Sequence, residues 1–291
     1  MYLYIILMLK LMKDNDIKYI TQAGAIAREV VAYARSLAKP GMRLLDLAGQ
    51  IEEKIIELGG KPAFPVNLSI NEIAAHATPS HENKDVAHGL LKVDIGVHVD
   101  GYIADTAFSV DLDGNDLNRK LIEAAEAGLG AALRVVKHGV TLCIIGNAVE
   151  KAIREIGFVP VVNLSGHAID RYDVHSGLTI PNYDNGDITQ LEEGLYAIEP
   201  FATNGAGKVI DGRSSGIYQL IKEGNVRDSF ARTVLAFIVD EYRTLPFCSR
   251  WIHANFGARG LLALRFIEKT GLLHHYAQLT EVSKGIVAQA E

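Results

Sequence analysis

The chain has 291 residues, 48% of them hydrophobic, enough apolar material for one large core or for a core carrying an insertion. Lysine and arginine total 29 against 35 aspartates and glutamates, and the resulting net charge of −6 offers no electrostatic case for binding nucleic acid. Its two cysteines, Cys143 and Cys248, are too few for a disulfide framework and lack metal-finger spacing, which suits a reducing cytoplasm.

The first twelve residues, Met1 to Met12, are apolar but fall short of the roughly 20 needed to span a bilayer. They lack the charged start and small-residue cleavage site of a secretory signal, and the chain turns polar at Lys13. Residues 1–13 are therefore read as an N-terminal extension, with Met12 the expected physiological start; the intact mass of native protein checks this. Apolar residues then recur with helical period from Ile20 to Leu37 and from Leu44 to Leu58, where Gly59-Gly60 stops the second helix. An extended segment broken by prolines, Pro62 to His76, leads into a polar loop.

Leu91 to Thr106 follows as two apolar-rich runs joined by Asp100-Gly101, a strong hairpin signal because both residues tolerate the positive φ of a tight primed turn. Asp94 and Asp105 would then face each other from neighbouring strands, where opposed like charges are destabilising. A cation should compensate them. Acids solvated on an outer sheet face are the blander alternative, against which their apolar neighbours count.

The second half repeats this order, with helices over Leu117 to Lys137 and Leu142 to Ile156, a stop at Gly157, and an extended Pro160 to Ser165. Asn-Leu-Ser at 67–69 returns at 163–165. Leu195 to Ala202 takes the place of the Asp94 strand, behind Gly194 as Gly89 stands before Leu90. Such recurrence points to an internal duplication, two related halves packed around one site. From Tyr218 to Thr280 the pattern changes to compact helices, Ser229 to Tyr242 and Leu261 to Lys269, without a counterpart in the first half. The expected division is a main domain at 14–217, a helical insertion at 218–280 and a return strand at 281–291, with a strand signal at Gly285-Ile-Val-Ala.

Candidate ligands fall one or two per element: Asp94, Asp105, His167, Glu199 and Glu291. Four carboxylates and one imidazole suit two divalent metal ions, because clustered acids cannot all ionise near neutrality without compensating cations. Oxygen-rich ligation without thiolate favours manganese, iron, cobalt or zinc. Two ions about 3.5–4 Å apart can share and activate a water, which fits hydrolysis. Taken singly, His167 reads as a hydrogen-bonded loop histidine and Glu199 as a cap or edge residue. His76 and His175 are candidates for orienting substrate or moving protons, with structural hydrogen bonding as the alternative. No His-Glu-x-x-His, Gly-x-Ser-x-Gly or Walker-type loop occurs, and Gly205-Ala-Gly207 is too short to mean dinucleotide binding.

Pro62 to His76, Val93 to Ala107, Asn163-Leu-Ser-Gly-His167 and Ala197 to Thr203 closely resemble type 2 methionine aminopeptidases, particularly the archaeal form, and the likeness spans about Ile20 to Glu291. The resemblance implies an α+β pita-bread fold with pseudo-twofold symmetric halves, a dinuclear metal site and an insertion of winged-helix type. It also implies removal of the initiator methionine from nascent chains in the cytoplasm. By position, Asp94 would bind one metal, Asp105 and Glu291 would bridge both, and His167 and Glu199 would bind the other. His76 and His175 match the family's substrate-facing histidines, and Phe64 and Pro65 would line the methionine pocket. In the implied mechanism a metal-activated hydroxide attacks the scissile carbonyl, Glu199 handles protons, and His175 helps hold the carbonyl oxygen. Peptide and nascent-chain N-termini are the implied partners, with the ribosome a further candidate; a monomer is expected, and no membrane.

Three departures stand out. The family usually continues past the position of Glu291 into a final strand, whereas this chain stops there, so a bridging ligand at the end is expected to be poorly held. Ala290 replaces a larger residue, and Gly89-Leu90 and Gly194-Leu195 stand where Gly-Asp is usual. Two other readings stay open: a related Xaa-Pro peptidase, such as aminopeptidase P or prolidase, and a pita-bread interaction module without catalysis. The helical insertion and the lack of a separate N-terminal domain argue against the Xaa-Pro reading.

Overall fold

A computed structural model describes residues 14–291; the apolar segment at 1–13 and the expected start at Met12 lie outside the described residues. Helix α1 (Asp14–Leu37) begins six residues before its apolar period becomes visible, because its first turn is polar. It buries Ile20, Ala23, Ala27, Val30 and Ala34 along one stripe. Helix α2 (Leu44–Glu57) packs beside it and ends at Gly59, whose φ of 86° suits the left-handed turn that stops a helix.

Strands β1 (Lys61–Pro62), β2 (Asn67–Ile70), β3 (Ile73–Ala75), β4 (Leu90–Val99) and β5 (Tyr102–Asp111) follow. The first four-stranded sheet is built on β4, which pairs antiparallel with β1 and β2 along one edge and with β5 along the other. Asp100 and Gly101 both take positive φ, 51° and 85°, as the primed turn of the β4–β5 hairpin requires.

Helices α3 (Asp116–Val135) and α4 (Leu142–Glu155) open the second half, followed by β6 (Val159–Pro160), β7 (Ser165–Ile169), β8 (Thr179–Pro181), β9 (Leu195–Ala197) and β10 (Phe201–Thr203). Here β7 pairs with β9 and β6 with β10, as β2 and β1 pair with β4. The strand equivalent to β4 is interrupted between β9 and β10, where Pro200 has no N–H to give a ladder.

Next come β11 (Val209–Leu220), α5 (Ser229–Glu241), β12 (Phe247–Cys248), α6 (Ser249–Lys269), β13 (Leu273–Glu281) and β14 (Val287–Gln289). Strand β11 pairs with β12 and β13, and β13 reaches β3 of the first half. Residues 273–280, which the sequence pattern groups with the helices, are thus strand; much of β13 is half-buried, so its alternation is faint. Strand β14 starts at Val287, two residues after the signal at Gly285, because the Gly285 N–H donates to the Glu281 carboxylate instead of a ladder. It pairs with β10 in the place that β5 holds beside β4.

Separate apolar clusters lie under α1 and α2, under α3 and α4, and inside the α5–α6 segment, and the acids gather between the first two. No helix among the described residues is long and apolar enough to cross a membrane.

Candidate functional site

The hairpin register sets Asp105 opposite Gly96 and Asp94 opposite Ala107, so the two acids share a face but meet diagonally. Gly96 leaves the space between them to Phe64: a Cβ built on Gly96 would lie 2.5 Å from Phe64 Cδ1. The missing side chain lets the Phe64 ring approach the strand beside two carboxylates.

Glu199 projects from the break before Pro200, and His167 stands on β7 opposite Ala197. His167 Nε2 lies 3.3 Å from Glu199 Oε1 and 3.7 Å from Asp105 Oδ2. Glu291 follows β14, and carboxylate oxygens of Asp94, Asp105 and Glu291 lie within 4.8 Å of one another. The expectation that Glu291 is poorly held is corrected. Its N–H donates to the Ala107 carbonyl at 3.1 Å, the Ala290 N–H donates to Pro200 O at 3.1 Å, and Thr106 Oγ1 donates to Glu291 O at 3.4 Å. The last residues are therefore tied to β5 on one side and to the Glu199 break on the other.

Upstream, Ser109 Oγ donates to Gln289 O at 2.7 Å and accepts the Gln289 N–H at 2.9 Å. Lys92, fully buried on β4, donates from Nζ to Asn71 O and Val287 O at 2.8 Å each. The Gln289 amide reaches Asp94 Oδ2 at 3.3 Å and Glu199 Oε2 at 3.4 Å, touching one acid from each half.

Burial raises the carboxyl pKa of Asp94 to about 7, and burial followed by mutual repulsion raises those of Asp105, Glu199 and Glu291 well above the usual range. Burial and the neighbouring His175 bring His167 down to about 3, so its imidazole is a neutral donor of a lone pair. Asp94 Oδ1, Asp105 Oδ1 and Glu291 Oε1 are buried and accept no hydrogen bond among the described residues. Buried acceptors without donors are costly. Divalent cations answer both the unmet acceptors and the repulsion, so the donor set fits them, with oxygen predominating and no thiolate.

Above these groups opens a cavity of about 280 Å³ lined by all five, by Phe64, His76 and His175, and by apolar residues that include Val174, Phe201, Ile217 and Pro246. The His175 ring lies 4.4 Å from that of His167, and His76 packs edge-on against Tyr276 at 5.2 Å. His76 takes a φ of 59°, a strained backbone for a non-glycine residue, and burial followed by the nearby His175 lowers its pKa to about 4. Pro65 is buried behind this wall and does not line the cavity; its carbonyl accepts from Asn67 Nδ2 at 2.9 Å.

Gln289, Lys92, Asn67 and Gly96 escape a reading of the sequence for ligand types. Gln289 had a usable signal, since alternation along a strand puts it on the same face as Glu291.

Residues 18–235 match Metallopeptidase family M24. Over 281 residues the chain is 48% identical to a methionine aminopeptidase of Pyrococcus horikoshii, covering 95% of each chain. Among solved structures, a methionine aminopeptidase of Thermotoga maritima superposes with a TM-score of 0.68 at 19% identity, covering 97% of this chain and 93% of that one. A thermophilic Arx1 superposes with a TM-score of 0.80 at 14% identity over 96% and 87%; at such identities both show a shared pita-bread fold. The Asp94–Asp105 hairpin, the repeated halves and the extent of these matches lead to one conclusion: the chain belongs to metallopeptidase family M24, among its methionine aminopeptidases.

Proposed function

We propose that the chain removes the N-terminal methionine from nascent proteins and peptides in the cytoplasm. The observation carrying this reading is the convergence of Asp94, Asp105 and Glu291 within 4.8 Å, beside His167 and Glu199, at the base of a cavity with an apolar wall. Asp94, Asp105 and Glu291 would hold one divalent ion, and Asp105, Glu291, His167 and Glu199 a second, chosen from manganese, iron, cobalt and zinc. Such ions supply an activated water and a polarised scissile carbonyl.

The remaining work falls to the chain's own groups. Phe64 and the apolar residues around it receive the methionine side chain and exclude water from it. Glu199, at the strand break, would take a proton from the attacking water and return it to the leaving amine. His175, against His167, would donate a hydrogen bond to the carbonyl oxygen as charge develops there, and His76 would orient the peptide from the Tyr276 side.

The test is release of methionine from Met-Ala-Ser, and of the first residue from an Ala-Pro peptide, with each of the four metals added in turn. Methionine release with at least one metal is expected, and calorimetry should count two ions per chain. Cleavage of Ala-Pro alone would transfer the chain to the Xaa-Pro peptidases. Loss of neither residue with any metal would leave a binding module.

A further inference from the structure

Glu52 lies on the buried face of α2, outside the lining of the cavity, and four donors converge on its carboxylate. Arg250 grips it with Nη1 at 2.7 Å and Nη2 at 2.8 Å, Trp251 Nε1 donates at 2.9 Å, and the Val66 N–H donates at 3.2 Å. Arg250 Nε also donates to Pro79 O at 3.1 Å, while Thr78 Oγ1 donates to Val66 O at 2.9 Å. One cluster therefore joins α2 to three other pieces of chain: the first turn of α6, the segment between Phe64 and Asn67, and the segment that leaves His76. Phe64, Asn67 and His76 all line the cavity, and so does Pro246, four residues before Arg250.

A buried ion pair adds little stability compared with apolar residues of the same size; its distinctive contribution is fixed geometry. Here the geometry is that of a pocket wall. Val66 is held by its N–H between Phe64 and Asn67, and Pro79 anchors the chain three residues after the strained His76.

We propose that Glu52 and Arg250 are positioning residues for the substrate cavity, through which the helical segment sets the place of Phe64 and His76. The pair then governs how well the amino-terminal side chain is held, and leaves the bond-breaking groups alone. The identity of that side chain as methionine rests on the function proposed above; the mechanical link does not.

Trp251, the chain's single tryptophan, is itself one of the donors to Glu52, so its emission reports on the junction. Free methionine added to the metal-loaded protein should change Trp251 emission saturably, and Glu52→Gln should abolish the response. The same variant should raise KM for Met-Ala-Ser about tenfold with kcat within about twofold. Arg250→Lys, which keeps the charge and one donor, should recover part of the KM lost in Arg250→Ala.

A Glu52→Gln protein that melts earlier but keeps the wild-type KM and emission response would overturn the proposal, and if that variant does not fold, Arg250→Lys carries the same test. Should the wild-type chain release no methionine, the functional reading fails while the mechanical link is still read by hydrogen exchange. Amides at Val66–Leu68 and Ala75–Ala77 should then lose protection about tenfold in Glu52→Gln; unchanged protection there would overturn the link by itself.

Discussion

The two halves of the molecule place equivalent acids by different means. In the first, Asp94 and Asp105 sit on one unbroken hairpin of two ten-residue strands. In the second, Glu199 stands in a gap between strands of three residues, and Glu291 just beyond a strand of three. Strand β5 lies beside β4 as β14 lies beside β10, so each half contributes one acid from its central strand and one from that strand's neighbour. Short aspartates serve where the ladder is regular. Longer glutamates serve where it is broken, and their positions are recovered by the Pro200 carbonyl, the Ala107 carbonyl and the Gln289 amide. Regular backbone and added hydrogen bonds are thus interchangeable ways of holding a carboxylate.

If that equivalence holds, Asp94→Asn and Glu199→Gln should each lower kcat/KM for Met-Ala-Ser by about 10³-fold or more. A first-half variant that keeps near-normal turnover would break the comparison.

The tight glycines of the two halves should differ more. A Cβ on Gly166 would collide with the Ala197 carbonyl oxygen, which is backbone, whereas one on Gly96 meets the Phe64 ring, which is a side chain. Urea denaturation should find Gly166→Ala costing about 3 kcal/mol or more, and Gly96→Ala about 1–3 kcal/mol together with a raised KM. The reverse order would show that the hairpin is the more rigid element.

Lys92 joins the halves, and Lys92→Met takes the ammonium from the Val287 carbonyl and leaves the Asn71 carbonyl only the Val287 N–H. A loss of about 2–3 kcal/mol in stability is expected, with metal affinity by calorimetry down about 10–100-fold as β14 loosens under Glu291. Unchanged affinity would mean that the Ala107 and Pro200 contacts suffice.

The smallest effect belongs to the first half alone. His98 Nδ1 accepts the Gly101 N–H at 3.1 Å, and burial followed by the charge of Lys61 lowers its pKa to about 4. The unfolded chain binds the proton near pH 6.5, so the contribution is present above that pH and is lost as pH falls toward 4. Hairpin amides should lose exchange protection across this window in the wild type and less so in His98→Asn.

Much of the first half was legible because its signals are local. Asp100-Gly101 fixes the turn, alternation fixes the faces, and Asp94 and Asp105 follow from both. The grip on Glu291 was not legible, since it depends on carbonyls at Ala107 and Pro200 that carry no side-chain signal. Nor was Glu52, which looks like one of two adjacent acids on an amphipathic helix until its partners arrive from the start of α6. Residues 273–280 were hidden for another reason. Their alternation is blurred because much of β13 is only half-buried.

Strand β14 also sets a timetable. The Gln289–Asp94 contact joins residues 195 positions apart, and contacts of that span form late because a long loop must close before they repay its entropy. During synthesis the β4–β5 hairpin emerges early, while residues 287–291 come last of those described. Until residues 287–291 have joined the sheet, a folding chain has its hairpin and its helices but no closed cluster of acids.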